Sequence, residues 1–426
     1  MGRSGELRPP FESESLPPHT LHMTSTEKDF ATRQAEPKAP ALGQADDGVA
    51  LYVHLPFCAA KCHYCDFFSV PDEGQDIDGM IGAILEEARL RAPKKPRTVF
   101  IGGGTPSLLS IPQLTRFLNG LDELVGWRDS AVEVSAECNP ESLDTDKAKA
   151  LLDLGVPRLS IGFQTLNDET LKLFGRVHSV DDSFRAFESA RAAGIQHLNL
   201  DMIYAVPDQT ADDWARDLTR VLALEPEHLS AYNLTFEEDT RFKRWLDQGK
   251  LASSPEEVEL EMFHATRELT SAAGLGAYEI SNHARPGEAC AHNIGYWRNT
   301  QYVGIGPGAV SKVGQARAGN PRAIQPYLRR IRAAGHATDW REDPDAHARL
   351  AETWWLGLRL SEGVNPDDAR ATAGLPDHEE DPGLAIAQTF VDQGFLETHE
   401  VGGAAHYRLT ARGLPLADAV ARKFLA

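Results

Sequence analysis

Three cysteines within eight residues could hold a metal cluster. Cys58, Cys62 and Cys65 form a Cys-x-x-x-Cys-x-x-Cys motif that directly follows a predicted strand. Thiolates are the soft ligands that hold iron–sulfur clusters in proteins. Three cysteines in one loop can reach three corners of a four-iron cluster, which leaves the fourth iron free to be chelated by a small molecule. The motif therefore predicts a 4Fe-4S cluster with one open iron.

A zinc site, or plain burial, is the alternative for the same cysteines. His54 and His63 lie close enough in the sequence to supply the missing zinc ligand. Structural zinc sites usually show cysteines or histidines in regularly spaced pairs, so the cluster is favoured. The two remaining cysteines, Cys138 and Cys290, stand alone. A lone cysteine is more often a small buried hydrophobic residue, and we assign these two no role.

Two further features near predicted strands could contact a ligand. The run Gly102–Pro106, Gly-Gly-Gly-Thr-Pro, follows the second strand. Glycines let the backbone and its exposed amides approach a bound molecule closely, although the same run also fits a tight turn. Asp201 lies inside the apolar stretch Leu198–Ala205, where a carboxylate needs hydrogen-bonding partners.

Strands alternate with amphipathic helices from residue 49 to about residue 300. The predicted strands are 50–56, 98–102, 132–136, 158–163, 197–205 and 229–234. The predicted helices between them are 77–91, 111–125, 145–154, 181–193 and 211–224. Such βα units indicate a parallel α/β sheet, either doubly wound or curved into a partial barrel. Polar and glycine-rich motifs follow nearly every strand, which favours a partial (β/α)6 barrel over residues 49–300.

The regions on either side of this barrel differ from it. Residues 1–48 contain six prolines and few large apolar residues, which predicts a disordered tail. Residues 301–340 are interpreted as a connecting segment. Residues 341–426 show helices followed by two short strands around Gly402–Gly403, as in a winged-helix-like α+β domain. This C-terminal domain has 8 basic and 15 acidic residues, so we expect it to face a protein or act as a lid and not to bind DNA.

Composition and charge narrow the class of protein. Of the 426 residues, 42% are hydrophobic and 25% are charged, which is typical of a globular protein with two or three domains. The 43 basic and 63 acidic residues give a net charge of −20, which disfavours nucleic acid as a partner. No apolar run is long enough for a transmembrane segment, and no signal peptide is recognisable. A cytoplasmic location is expected, with peripheral membrane contact left open.

Taken together, the motifs resemble those of the radical S-adenosylmethionine (SAM) superfamily. More narrowly, they resemble the oxygen-independent coproporphyrinogen III oxidase group. The resemblance covers roughly residues 49–420 and is carried in order by YVHLPFCAAKCHYCDF, GGGTPS, AECNPE, RLSIGFQ, DMIYAVPDQT and YEISNHARPG. It implies that the open iron binds the amino and carboxylate groups of SAM.

The resemblance also implies which side chains surround SAM. It places Gly104 and Thr105 of the glycine run at the cofactor. Glu137 would accept from ribose hydroxyls or from the amino group, with helix capping as the alternative. Arg176 would hold the SAM carboxylate with its guanidinium fork, with a solvated surface position as the alternative. Gln164 flanks the same βα unit.

Four more residues complete this set. Asp201 would bind ribose hydroxyls, which would give its carboxylate the partners it needs. Tyr52, Tyr64 and Phe67 lie around the cysteines, where the family places side chains against SAM. Ordinary packing in the hydrophobic core is the alternative for these three aromatic residues.

Two features indicate a particular branch of the group. The true coproporphyrinogen enzymes carry a further cysteine two residues after the third, and this sequence has Phe67 there. The string His-Asn-Ile-Gly-Tyr-Trp at 292–297 resembles the mark of the haem-chaperone branch, HemW, whose members deliver haem to acceptor proteins. Histidine is a common axial ligand of haem iron, so His292 is the candidate haem contact. The alternative is a histidine that orients a neighbouring loop by hydrogen bonds.

The sequence as a whole predicts a cytoplasmic haem chaperone of radical SAM fold. It would bind a 4Fe-4S cluster, SAM and haem, and would pass haem to an acceptor protein. No residue is assigned a catalytic role, and no coproporphyrinogen oxidation is expected. The main alternative is an oxygen-independent coproporphyrinogen III dehydrogenase, which would cleave SAM to a 5′-deoxyadenosyl radical and decarboxylate two propionates. A zinc-containing scaffold with a winged-helix docking surface is the third interpretation.

Overall fold

The computed structural model describes residues 48–376 and 378–425. The tail predicted for residues 1–48 therefore lies outside the described residues, except for Gly48. Regular structure in the described chain begins at Ala50, where the first strand was predicted.

One large sheet runs through the described chain. The strands up to residue 342 are β1 (Ala50–Leu55), β2 (Phe57–Cys58), β3 (Val70–Pro71), β4 (Thr98–Gly103), β5 (Glu133–Cys138), β6 (Arg158–Gln164), β7 (His197–Tyr204), β8 (His228–Asn233), β9 (Gly276–Ala277), β10 (Asn282–Ala284), β11 (Tyr302–Ile305), β12 (Val310–Val313), β13 (Ala316–Gly319) and β14 (Trp340–Glu342). Within the described residues, β2 and β3 pair only with each other. The other twelve form one sheet in the order β14-β13-β12-β11-β1-β4-β5-β6-β7-β8-β10-β9.

The strands β1, β4, β5, β6, β7 and β8 are parallel and lie side by side in chain order. A doubly wound sheet reverses its strand order at a switch point, and this run contains no reversal. The partial (β/α)6 barrel is therefore confirmed over the doubly wound alternative. We call the two rims of these six strands the barrel mouth and the barrel floor. The mouth is formed by their carboxyl ends at Leu55, Gly103, Cys138, Gln164, Tyr204 and Asn233, and the floor by their amino ends at Ala50, Thr98, Glu133, Arg158, His197 and His228.

The helices follow the amphipathic pattern of the sequence. In the described chain they are α1 (Ile77–Arg91), α2 (Ile111–Val125), α3 (Thr145–Asp153), α4 (Asp168–Phe174), α5 (Val180–Ala192), α6 (Ala211–Leu222), α7 (Arg241–Asp247), α8 (Glu256–Ala272), α9 (Ala291–Trp297), α10 (Ile324–Ala334), α11 (Ala346–Gly357), α12 (Pro366–Ala373), α13 (Pro382–Asp392) and α14 (Ala417–Ala421). Helix α2 illustrates why the bounds were predictable. It begins with a capping box between Ser110 and Gln113 and ends at Gly126, which adopts the left-handed conformation with φ 66°. None of the helices in the described ranges is long and apolar enough to cross a bilayer.

Residues 301–340, interpreted from the sequence as a connecting segment, extend the sheet. Strand β11 pairs in parallel with β1, and β12, β13 and β14 follow it as an antiparallel run. At the opposite edge, β10 pairs antiparallel with β8. These strands are three or four residues long, which is too short to show an alternating pattern.

Residues 346–425 gather a hydrophobic core of their own. Helices α11 to α14 pack with a hairpin of β15 (Leu396–Val401) and β16 (Ala404–Leu409) around Trp354, which is fully buried. After the hairpin, a short 3-10 turn, Leu414–Leu416, leads into α14. The order of helices and then a two-stranded hairpin confirms the winged-helix-like α+β character of this region.

Candidate cofactor site

The three cysteines lie on one loop at the barrel mouth. Cys58 ends β2, and Cys62 and Cys65 follow in the turn that leads to β3; all three side chains are half-buried. The loop is pinned at His63, whose backbone N–H donates to the Phe174 carbonyl at 2.8 Å and whose carbonyl accepts from Phe242 N–H at 2.9 Å. The fold therefore presents three thiols from one anchored segment.

Two of the three thiols, Cys58 and Cys65, are held in surroundings that favour their neutral form. Burial raises the pKa of Cys58 and raises that of Cys65 to about 11. Iron displaces the thiol proton when it binds, so ligation is what would make these groups thiolates. The guanidinium of Arg176 lies nearby, with Nη1 at 3.7 Å from Sγ of Cys62. The three cysteine thiols fit an iron–sulfur cluster, because the positive charge of the iron ions stabilises the thiolate form of a ligand.

The histidines that a zinc site would need are already paired. His54 contacts the Tyr52 hydroxyl at 3.0 Å and the Phe68 carbonyl at 2.7 Å. His63 contacts the Leu173 carbonyl at 2.8 Å and Nη1 of Arg241 at 2.9 Å. Among the described residues, no three His, Cys, Asp or Glu side chains converge closely enough to hold a single metal ion. The ligands of a four-iron cluster can lie further apart than those of a single ion, because each thiolate binds a different iron.

The glycine run packs its backbone directly against the cysteine segment. The N–H of Gly104 donates to the Leu55 carbonyl and that of Thr105 to the Phe57 carbonyl, both at 2.7 Å. A Cβ on Gly104 would lie 2.5 Å from the Phe57 oxygen, so only glycine fits there. The N–H of Gly103 donates to Glu137 Oε2 at 2.9 Å. The amides of Gly103, Gly104 and Thr105 are thus used within the protein, and so is the Thr105 carbonyl, which accepts from Leu108 N–H at 3.0 Å.

Two carboxylates stand inside the barrel below the cysteines. Burial raises the pKa of Glu137 to about 7, helped by the charge of Asp201 and opposed by the Gly103 amide. Asp201 accepts from the Ser160 hydroxyl at 2.7 Å and from Asn199 Nδ2 at 2.8 Å. Burial also raises the pKa of Asp201, although these hydrogen bonds oppose the rise. Such groups can accept hydrogen bonds from hydroxyls or an amino group.

Arg176 is a half-buried cation aimed at this space. Its Nη2 donates to Asn139 Oδ1 at 2.8 Å and to the Gly162 carbonyl at 3.0 Å. Burial tends to lower its pKa, but nearby Tyr64 and Cys62 outweigh that effect and hold the pKa above its usual value. The solvated surface position considered from the sequence is not what the structure shows.

The backbone opens a space beside this arginine. Gln164 adopts φ 67° where the register between β6 and β7 shifts. A Cβ on Gly162 would lie 2.6 Å from Nε2 of Gln164 and 3.2 Å from Nη2 of Arg176. Glycine at this position therefore lets both side chains turn towards the mouth.

The three aromatic residues predicted for the site differ in environment. Tyr64 packs on Phe174 with ring centroids 4.8 Å apart, as a core residue does. Tyr52 stacks on Phe100 and hydrogen-bonds His54. Phe67 is 62% exposed at the mouth, which is unusual for a large apolar side chain. Of the three, Phe67 is the side chain with a free face for a bound molecule.

His292 lies at the barrel floor, away from the other predicted residues. Its Nδ1 is 2.8 Å from the hydroxyl of Thr98, the first residue of β4, and its Nε2 is 3.0 Å from the hydroxyl of Tyr296. Glu133, the first residue of β5, accepts from the backbone N–H of His292 at 3.0 Å. The side chain is 2% exposed, and burial lowers its pKa to about 3.

The helix that carries His292 also joins the barrel to the C-terminal region. The guanidinium of Arg359 lies 4.7 Å above the ring of Trp297, the last residue of α9. Just beyond α9, Asn299 Nδ2 donates to the Thr353 hydroxyl at 3.0 Å. The segment 291–299 is therefore enclosed between the barrel floor and helix α11.

Two asparagines of the site were not assigned from the sequence. Asn139 joins Thr105 to Arg176, donating to the hydroxyl of the first at 2.8 Å and accepting from the second. Asn199 supports Asp201. Its spacing of two residues from Asp201 places both on one face of β7, a signal that could have found it.

Comparisons with known proteins agree with this geometry. The model of the Radical SAM superfamily matches residues 52–221. A Bacillus subtilis protein named Heme chaperone HemW is 35% identical over 319 residues, which cover 74% of this chain and 84% of that protein. The Escherichia coli protein of the same name is 32% identical over 384 residues, covering 89% and 98% of the two chains.

Two further comparisons concern a mouse protein and a solved structure. A mouse protein named Radical S-adenosyl methionine domain-containing protein 1, mitochondrial, is 33% identical over 349 residues, covering 78% and 79% of the two chains. Among solved structures, coproporphyrinogen III oxidase (HemN) from Escherichia coli, a radical SAM enzyme, is similar with a TM-score of 0.74 over 93% of each chain. Its 22% sequence identity supports the shared fold alone.

Proposed function

The chain belongs to the HemW family within the radical SAM superfamily, and we propose from this membership that it is a haem chaperone that passes haem to an acceptor protein. The observation that carries the proposal is its identity of 32–36% to proteins named Heme chaperone HemW over most of their length. Phe67, exposed where the oxidative enzymes of the wider group carry a cysteine, supports the same conclusion.

The barrel mouth is proposed to hold the cluster and SAM. Family membership implies both cofactors, and Cys58, Cys62 and Cys65 are the residues proposed to ligate a 4Fe-4S cluster. The open iron of such a cluster supplies a coordination site for the amino and carboxylate groups of SAM. Arg176 is proposed to pair with the SAM carboxylate, because it is a cation aimed into this space.

The remaining mouth residues are proposed to bind the other parts of SAM. Glu137 and Asp201 are placed to accept hydrogen bonds from the amino group and the ribose hydroxyls. Gly104 and Thr105 are proposed to line the cofactor, since their amides hold this part of the backbone against the cysteine segment. Gln164 and the aromatic residues Tyr52, Tyr64 and Phe67 complete the proposed lining.

Haem contact by His292 is also a proposal. It requires a rearrangement of the hydrogen bonds that the ring makes in the structure. Both ring nitrogens are hydrogen-bonded, to Thr98 and to Tyr296, so one of these bonds must open before the imidazole can coordinate iron. A histidine that only braces α9 would never need to open them. The haem spectrum of His292→Ala separates the two roles, because only a ligand would shift the Soret band when removed.

The C-terminal region and the cellular location complete the proposal. We propose that residues 341–426 form a separate domain that faces the acceptor protein, since they gather a hydrophobic core of their own and carry excess negative charge. We also propose that the protein acts in the cytoplasm.

Three measurements on one anaerobically reconstituted sample test this function. We expect an absorbance band at about 400 nm from the cluster, as the family resemblance implies, together with a Soret shift on haem titration. We expect no conversion of coproporphyrinogen III with SAM and a reductant present. Stoichiometric protoporphyrinogen formation would instead establish the dehydrogenase, and a colourless protein that retains zinc would establish the scaffold.

A further inference from the structure

A chain of hydrogen bonds joins the barrel floor to Asp201. Asn199 Nδ2 lies 2.8 Å from Asp201 Oδ1, and Asn199 Oδ1 lies 2.6 Å from Nδ1 of His228, the first residue of β8. The other ring nitrogen of His228 is 3.0 Å from the hydroxyl of Tyr278. Asn293, on helix α9, places Nδ2 at 3.1 Å from that same hydroxyl. Four side chains thus connect α9 with the carboxylate.

The Asp201 carboxylate, at the end of this chain, determines which group donates and which accepts in every hydrogen bond. A carboxylate only accepts, so the amide of Asn199 must turn Nδ2 towards Asp201 and Oδ1 towards His228. The amide oxygen also accepts, so His228 must carry its proton on Nδ1. Its Nε2 then accepts from the Tyr278 hydroxyl, whose oxygen accepts from Asn293. All donors point from α9 towards Asp201.

Burial leaves this arrangement little freedom. His228 is 2% exposed and Asn199 is 6% exposed, and Asn199 Nδ2 also contacts the hydroxyls of Ser160 and Ser230 at 2.7 and 2.9 Å. Burial lowers the pKa of His228 well below its usual value, so the ring stays neutral and can act as donor on one nitrogen and acceptor on the other. Buried polar networks that are fully paired hold a single geometry.

We propose that Tyr278 and Asn293 are positioning residues for the cofactor site: through His228 and Asn199 they fix the orientation of the Asp201 carboxylate that receives the ribose hydroxyls of SAM. The proposal rests on the SAM site proposed above. It gives the second residue of the 292–297 string a role that is separate from haem contact. Tyr278 is also held from the C-terminal region, because its carbonyl accepts from Ser361 N–H at 2.9 Å.

A matched pair of tyrosine variants tests the proposal on the reconstituted full chain. Tyr278→Phe removes the hydroxyl that links Asn293 to His228, so the imidazole can change tautomer and release the amide of Asn199. We expect the Kd for SAM to rise by about three- to tenfold, with normal iron content. Tyr296→Phe removes a hydroxyl that contacts His292 and leaves this chain intact, so its Kd should equal that of the wild type.

A double-mutant cycle distinguishes positioning from a general loss of structure. If Tyr278 acts through Asp201, adding Tyr278→Phe to Asp201→Ala should weaken SAM binding no further. Full additivity, or equal SAM affinities for Tyr278→Phe and Tyr296→Phe, would overturn the proposal while leaving the SAM site in place. Absence of SAM binding by the wild type would instead overturn the proposed cofactor site itself. If Tyr278→Phe does not fold, Asn293→Ala removes only the outer link of the chain, and its Kd for SAM should still exceed that of Tyr296→Phe if the proposal holds.

Discussion

At the barrel mouth, Glu137, Arg176 and Asp201 stand half-buried beside three thiols, whereas at the barrel floor His228 and His292 are sealed and neutral. The mouth residues keep charges or shifted pKa values that a bound molecule could use. The ring nitrogens of both floor histidines are all within 3.0 Å of protein partners. The resemblance of the 292–297 string, together with residue type, made His292 a candidate ligand. Its ring nitrogens are already paired, as expected of a residue that braces the floor.

The largest expected effect is the loss of iron–sulfur absorbance when a cysteine at the mouth, and not one at the floor, is replaced. Single replacement of Cys58, Cys62 or Cys65 by Ala should abolish the iron–sulfur absorbance, because each would ligate one iron. Cys138→Ala and Cys290→Ala should keep it. Cys290 is the matched control at the floor, where its Sγ is 3.2 Å from Glu133. Iron loss in either control would show that the set of ligands is wrong.

A pH titration of stability should distinguish the mouth from the floor as well. The pKa of Glu137 is raised from 4.5 to about 7, mainly by burial. Between these two values the unfolded chain has released a proton that the native state still holds. Rising pH therefore lowers the free energy of unfolding, by about 3 kcal/mol in total, and the effect is complete above about pH 7.

Glu137→Gln provides the measurement for this effect. The difference in unfolding free energy between the cluster-free wild type and this variant should change between about pH 4.5 and 7 and stay flat above. His292→Gln should show a change of the opposite sign below about pH 6.5, because the unfolded chain protonates this histidine while burial lowers its native pKa to about 3. A flat difference for Glu137→Gln would mean that the carboxyl is solvated and that the contrast between the rims is smaller than the structure implies.

Removal of single charged partners at the mouth should weaken SAM binding. Arg176→Ala and Asp201→Ala each remove a charged hydrogen-bonding group worth about 1.5–3 kcal/mol, which corresponds to about tenfold or more in Kd. Iron content should stay normal, since neither residue is proposed to ligate iron. Unchanged SAM titrations for both variants would place the cofactor elsewhere.

The sequence predicted the mouth much better than the floor, and the reason is topological. In parallel βα units the carboxyl end of each strand leads to the same rim, so the motifs around Cys58, Glu137 and Asp201 could be grouped without a structure. The position of His292 depends on β10, a three-residue strand that runs antiparallel to β8 and returns the chain to the floor. Neither the existence nor the direction of so short a strand is visible in its residues.

The same limit explains the links between side chains that the sequence did not reveal. Tyr278 and His228 are 50 residues apart, and their contact exists only because β9 and β10 fold back beside β8. Asn139 lies within a recognised motif, but its bridging role depends on Arg176, which another βα unit supplies. Local patterns predict elements, whereas pairings between distant polar side chains require the assembled sheet.

The smallest expected effect concerns the floor and separates bracing from ligation. Thr98→Val keeps the shape of a strand residue but removes the hydroxyl that pairs with Nδ1 of His292. An unpaired buried nitrogen should lower the free energy of unfolding by about 1–2 kcal/mol, measured by chemical denaturation. SAM affinity should not change, because Thr98 takes no part in the chain that leads to Asp201. If His292 is a haem ligand, freeing Nδ1 should tighten haem binding, since one of the bonds that must open is already absent. Unchanged haem affinity and an unchanged Soret band in this variant, together with a normal spectrum for His292→Ala, would assign His292 to bracing and place the haem contact elsewhere on the protein.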